Sequence, residues 1–191
     1  IVMGSAIFGS TIATTVNNMV IGTGVTVRIQ APSVLTIADG MTLTNFGTLI
    51  VEGNGSTGGT LRLLGTGSIV GNAPIYQGSM SVLQYSGTNV QRSSSPVEFP
   101  GMMPATVVVD ENVTVVLDGN KTLQSALVLG GLVDIRGRNV ILQGRLDLRG
   151  AFISDSQSDL EIGTGGGTVA GITGALKIAT NVMRNVTLNR P

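Results

Sequence analysis

Cysteine, histidine and tryptophan are all absent from this chain. Without cysteine there are no disulfides and no thiolate nucleophiles. Without cysteine and histidine together there are no Cys/His zinc sites, and the commonest general base is missing. Charge is scarce and balanced: eleven Lys and Arg face eleven Asp and Glu, and charged residues make up 12% of the chain, about half the usual share. These charges are spread singly, so no basic stripe exists to meet phosphates, and nucleic acid is not an expected partner. No run of about 18 apolar residues occurs, so no membrane-spanning segment is expected. The opening IVMGSAIFGSTIATTVNN lacks a basic leading segment and does not read as a signal peptide. Its start at Ile1 leads to the expectation that a leader or a longer parent chain precedes it.

What is present is aliphatic and turn-rich: 42% hydrophobic residues with only 3% aromatic, and 28 glycines among 191 residues. Gly, Thr, Asn and Val interrupt nearly every window that could carry an amphipathic helix. Short β-branched or Leu-rich runs bounded by Gly, Asn, Asp or Pro read as strands instead. In the first half these are VTVRI (25–29), SVLTI (33–37), MTLTN (41–45), TLIVE (48–52) and TLRLL (60–64). In the second half they are TVVVD (106–110), VTVVL (113–117), LVDIR (132–136), NVILQ (139–143), RLDLR (145–149), DLEIG (159–163), ALKIA (175–179) and NVTLN (185–189).

The chain also resembles itself. Glycine, then aliphatics at alternate positions, then glycine fits GTLIVEG (47–53), GTLRLLG (59–65), GLVDIRG (131–137) and GRLDLRG (144–150). Two-residue hairpins favour Asn-Gly or Asp-Gly, and between strands only Asp39-Gly40 and Asp118-Gly119 match. Strands that turn corners rather than double back account for the remaining bends. The expected fold is therefore all-β: a parallel β-helix, or β-solenoid, forming one elongated domain over residues 1–191 with roughly seven to nine turns. Inward aliphatics stack as ladders in a narrow tube, which explains why Val, Ile and Leu replace aromatics. SGTNVQRSSSPVEFPGMMP (86–104) holds three of the six prolines and a serine run. It reads as a loop excursion from the tube wall, or as a boundary between two solenoid halves.

Tyr85, Ser86, Gly87, Thr88, Gln91, Glu98, Phe99 and Pro100, followed by Val-Thr-Leu-rich strands and Gly-x-Leu stretches, carry a resemblance over roughly residues 80–150. The segment resembles repeat regions in large secreted and cell-surface, adhesin-like proteins of gliding or biofilm-forming bacteria. That resemblance implies secretion, an extracellular or cell-surface location and a structural or adhesive role; it supplies no catalytic residues.

Asp134, Arg136, Asp147 and Arg149 alternate with Val133, Ile135, Leu146 and Leu148. They are expected to point outward as a solvated face, with the two Asp-Arg pairs on different sides. Asp110 and Glu111 are adjacent and do not form the paired carboxylates of glycoside hydrolysis. DSQSDLE (155–161) lacks the dense spacing of a calcium loop and reads as a turn, and GTGGGTVAG (163–171) lacks the helix and lysine of a phosphate cradle. No catalytic, metal or cofactor residues are therefore expected, and the protein is read as a non-enzyme. The leading expectation is a filament subunit or adhesin stalk that assembles head to tail with itself or within a parent surface protein. An N-terminal segment (1–20) containing Ile1, Val2, Met3, Ile7, Phe8 and Ile12 would make the contact. The alternative is a carbohydrate-binding module using Tyr76 and a surface loop of Tyr85, Arg92, Glu98 and Phe99 against a glycan, or a degenerate polysaccharide lyase.

Overall fold

A computed structural model of the chain describes residues 4–9, 12–78, 80–163 and 172–189. Twenty-four short strands, β1 to β24 in chain order, form among them, with no helix. All strand pairings are parallel, and they stack into a solenoid of about eight turns. Among the described residues the only antiparallel contact is an isolated bridge, Gly53 to Gly58, closing a small surface loop in which the Asn54 side-chain carbonyl accepts the Ser56 and Thr57 amides.

Each turn contributes strands to three walls. The second wall is continuous: β2 (Ala13–Val16), β5 (Val34–Ile37), β8 (Thr60–Leu64), β11 (Val82–Ser86), β14 (Thr106–Val109), β17 (Ala126–Leu129), β20 (Arg145–Leu148) and β23 (Ile172–Gly174). The first wall runs through β1 (Ala6–Phe8), β4 (Thr26–Ile29), β7 (Thr48–Glu52) and β10 (Ile75–Gln77). After a break it resumes as β13 (Met102–Met103), β16 (Lys121–Leu123), β19 (Asn139–Leu142), β22 (Asp159–Ile162) and β24 (Asn185–Leu188). The third runs through β3 (Met19–Ile21), β6 (Thr42–Asn45) and β9 (Ser68–Gly71), breaks, and resumes as β12 (Val90–Ser93), β15 (Val113–Val116), β18 (Leu132–Asp134) and β21 (Ala151–Ile153).

Strand alternation sorts the side chains. On the second wall, Leu35, Leu61, Leu83, Val107, Leu127 and Leu146 stack in register as one inner ladder, and Ile37, Leu63, Tyr85, Val109, Leu129 and Leu148 as another; all are buried. Between them on the outside lies the ladder Thr15, Thr36, Arg62, Gln84, Val108, Val128, Asp147 and Thr173. The turns are short because corners need only a few residues: Thr106 pairs with Ala126 and Ala126 with Arg145.

The leading glycine of each repeat has a steric cause. A Cβ on Gly47, Gly59, Gly131 or Gly144 would lie 2.3 Å from Val25 O, 2.1 Å from Ile29 O, 2.2 Å from Val113 O or 1.4 Å from Ser125 O respectively. In each copy the glycine marks the corner where the backbone closes onto a carbonyl of the turn before it.

Two details differ from expectation. ALKIA (175–179) is not a strand; only Ile178 bridges, to Phe152. The loop excursion expected near residues 86–104 comprises residues 94–101, between β12 and β13, but it buries Ser94, Glu98 and Phe99 rather than standing out in solvent. The first wall breaks between β10 and β13 and the third between β9 and β12, while the second wall runs through.

Gly144→Ala should lower the unfolding free energy by about 1–3 kcal/mol through overpacking. Gly119→Ala, where an added Cβ meets nothing within 4 Å, should stay within about 0.5 kcal/mol of the parent. Urea denaturation of both variants checks the contrast.

Candidate functional site

The four residues expected to form a surface loop are instead interior. Tyr85, Arg92, Glu98 and Phe99 are all buried, as is Tyr76. The reason lies in register: Arg92 aligns with Val115, Val133 and Phe152, an inner ladder of the third wall. The same period of two that points Val90 inward points Arg92 inward.

A buried cation survives only with full pairing, and Arg92 is extensively paired. Its guanidinium donates to the carbonyls of Gly67 at 2.6 Å and Gly65 at 3.2 Å, and to Glu98 Oε1 at 3.1 Å. It also stacks 4.9 Å from the centre of the Tyr85 ring. Glu98 Oε1 accepts the Ser95 amide at 3.1 Å, and the Ser95 hydroxyl closes on the other carboxylate oxygen. Tyr76 donates its hydroxyl to the Glu98 carbonyl at 2.9 Å. Burial, reinforced by the Glu98 carboxylate, pushes the phenols of Tyr76 and Tyr85 well above their ordinary range, so both stay neutral.

A second inward cation, Lys121, aligns with Val140 on the first wall. It reaches Asp118 Oδ1 at 2.7 Å and the Phe99 carbonyl, with Phe99 itself 4.8 Å below it. Asp118 also closes on the Ser94 hydroxyl. Burial acts to raise the Asp118 carboxyl, but Lys121 and Ser94 bring it below the usual carboxylate range. Sequence reasoning missed Lys121, although Lys121 and Leu123 share a strand face. These groups form one polar knot where two walls break, in which Arg92 Nε and the Tyr85 hydroxyl are the buried atoms with no hydrogen-bond partner among the described residues.

Of the two Asp-Arg pairs, Asp147 on the second wall and Arg149 at the corner after β20 are partly solvated and 3.4 Å apart. Asp134 lies on the third wall, so the two pairs do occupy different faces. Asp134 itself is a correction: it aligns with Ile153 on the outer ladder, yet the Arg136 side chain folds over it and leaves it 3% exposed. Burial acts to raise its carboxyl, but the Arg136 side chain, backbone amide and charge hold it below the ordinary range. In DSQSDLE, Asp155 Oδ1 accepts the Gly137 and Gln157 amides and the Ser158 hydroxyl, shaping a turn. Asp159 is engaged by Arg184 and Asn185. The glycine run 164–171 lies outside the described residues.

At the N-terminal end, Ile1, Val2 and Met3 of the expected assembly segment lie outside the described residues. Phe8 aligns with Ile29 and packs on the core, Ile7 points outward and is 61% exposed, and Ile12 is exposed at the following corner. At the other end, Val186 and Leu188 of β24 align with the buried Leu160 and Ile162. They belong to the inner ladder, yet they are 43% and 62% exposed because no described turn covers them. Sequence reasoning singled out the N-terminal segment and missed this end.

Comparison of the chain with protein families, curated proteins and solved structures finds no match.

Arg92→Met and Glu98→Gln should each cost about 3–5 kcal/mol by stranding a buried partner, and the double variant less than their sum; a urea double-mutant cycle reads this. Asp134, with its folded value depressed, stabilises the fold above its unfolded value of about 3.9 and loses that contribution as pH falls through the folded value. The acid fall of the urea midpoint should therefore be shallower in Asp134→Asn than in the parent.

Proposed function

We propose that the chain is a non-catalytic structural solenoid, an extracellular filament subunit or adhesin stalk, whose terminal turns stack head to tail on another copy. The observation that carries this reading is the inner ladder of β24, where Val186 and Leu188 continue buried columns and are covered by no described turn. β1 and β24 both belong to the first wall, and all pairing in that wall is parallel. One end therefore offers the strand edge that the other end can extend, with the same chain direction. Exposed edges recruit strands from neighbours. A contact between two different ends does not close on itself and produces an open fibre. The extracellular setting rests on the resemblance of residues 80–150 to surface-protein repeats.

Val186→Lys/Leu188→Lys should abolish fibres seen by negative-stain electron microscopy while leaving the circular dichroism of the monomer unchanged. Deleting residues 1–12 should do the same from the opposite end. Normal fibres from either variant, or a parent chain that stays monomeric at high concentration, would contradict the reading.

A further inference from the structure

A groove of about 600 Å³ runs along the corner between the second and third walls, across consecutive turns. Its origin is a change in corner length. Between β11 and β12, and between β14 and β15, the corner is three residues ending in Asn89 or Asn112, each with left-handed backbone. In the next two turns the corner shrinks to two residues, Gly130-Gly131 and Arg149-Gly150. A Cβ on Gly131 or Gly150 would strike backbone oxygen at 2.2 Å or 1.8 Å, so the second position of each later corner carries no side chain. The longer corners stand above them as a step.

The floor is an outward ladder in register, Gln91, Thr114, Leu132 and Ala151, grading from amide and hydroxyl to small apolar surface. The side chains of Asn89, Gln91, Asn112 and Thr114 all line the groove and make no hydrogen bond to another described residue. At the far end stand two exposed cations, Arg149 and Lys177. Among the described residues Lys177 Nζ donates only to the Arg149 carbonyl, at 3.2 Å, and Arg149 pairs with one acid, Asp147.

We infer that this corner groove binds an acidic polysaccharide, with sugar hydroxyls on the amide and hydroxyl groups, a pyranose face over Leu132 and Ala151, and a uronate carboxylate between Arg149 and Lys177. The length fits a chain rather than a monosaccharide, since the corners from Asn89 to Gly150 span three turn spacings, about 14 Å. The chemistry favours a glycan over a peptide. β15 and β18 in the floor are paired on both sides, so no free edge is present there for an extended peptide to extend as a strand. Recognition falls to side-chain amides, a hydroxyl and cations, the donor set suited to a polyhydroxylated anion. This site is independent of end-to-end assembly.

Isothermal titration of the full chain with a hexagalacturonate tests the site, with a neutral galactose hexasaccharide and hexaglutamate as comparisons. The acidic sugar should bind, weaken by about tenfold in Arg149→Gln/Lys177→Gln, and weaken with added salt. Gln91→Ala/Thr114→Ala should weaken both sugars. All four positions are outside the core, and circular dichroism confirms folding of each variant. No binding of hexagalacturonate at millimolar concentration, binding indifferent to both variants, or equal binding of hexaglutamate would overturn the inference.

Discussion

Every feature of this molecule depends on the parallel, in-register backbone ladder that joins each turn to the next. A single turn of about 20 residues exposes all its strand edges and cannot bury its aliphatics alone. Only when the next turn lies over it at the strand spacing do Leu61, Leu83 and Val107 close into a column that excludes water. The ladder dictates the composition: inner positions take branched aliphatics that repeat without clash, and corners take glycine where a carbonyl of the preceding turn leaves no room for a Cβ.

The ladder is not uniform, and its breaks explain the polar interior. The second wall carries the hydrogen bonds through all the turns, while the first and third walls part between β10 and β13 and between β9 and β12. Arg92 supplies donors to Gly65 and Gly67, carbonyls at the corner before β9. Lys121 does the same for Phe99 in the turn before β13. The charged pairs work as substitutes for interrupted strand pairing, and the aromatic rings of Tyr85 and Phe99 give the cations their second face. The Tyr85-to-Pro100 segment on which the resemblance rests is thus a structural joint within the solenoid.

Strand runs such as TLIVE and TLRLL were legible because alternation and flanking glycines act locally, and they coincide with β7 and β8. The parallel winding was legible from the lack of hairpin turns. The interior of residues 86–104 was not, because a rule that sends Arg and Glu to solvent overrode the alternation that placed Arg92 beside Val90. Asp134 was misjudged for a related reason: pointing away from the core and being exposed are different, and Arg136 covers it. β24 was recognised as a strand, yet its exposed columns were invisible, since exposure of Val186 depends on which turn covers it and not on its neighbours in sequence. The corner groove was equally hidden, because it arises from the difference in corner length between turns that sequence inspection treats as equivalent.

The account stands or falls on parallel register, and the chain's lack of cysteine makes a direct test clean. Val108 and Val128 face outward on adjacent turns in exact alignment, at a strand spacing of about 4.8 Å that lies within disulfide reach. Val108→Cys/Val128→Cys should form an intramolecular disulfide under mild oxidation, whereas Val108→Cys/Asp147→Cys, two turns apart on the same ladder, should not. A second pair that cross-links as readily as the first, or a first pair that stays reduced in the folded monomer, would contradict the solenoid.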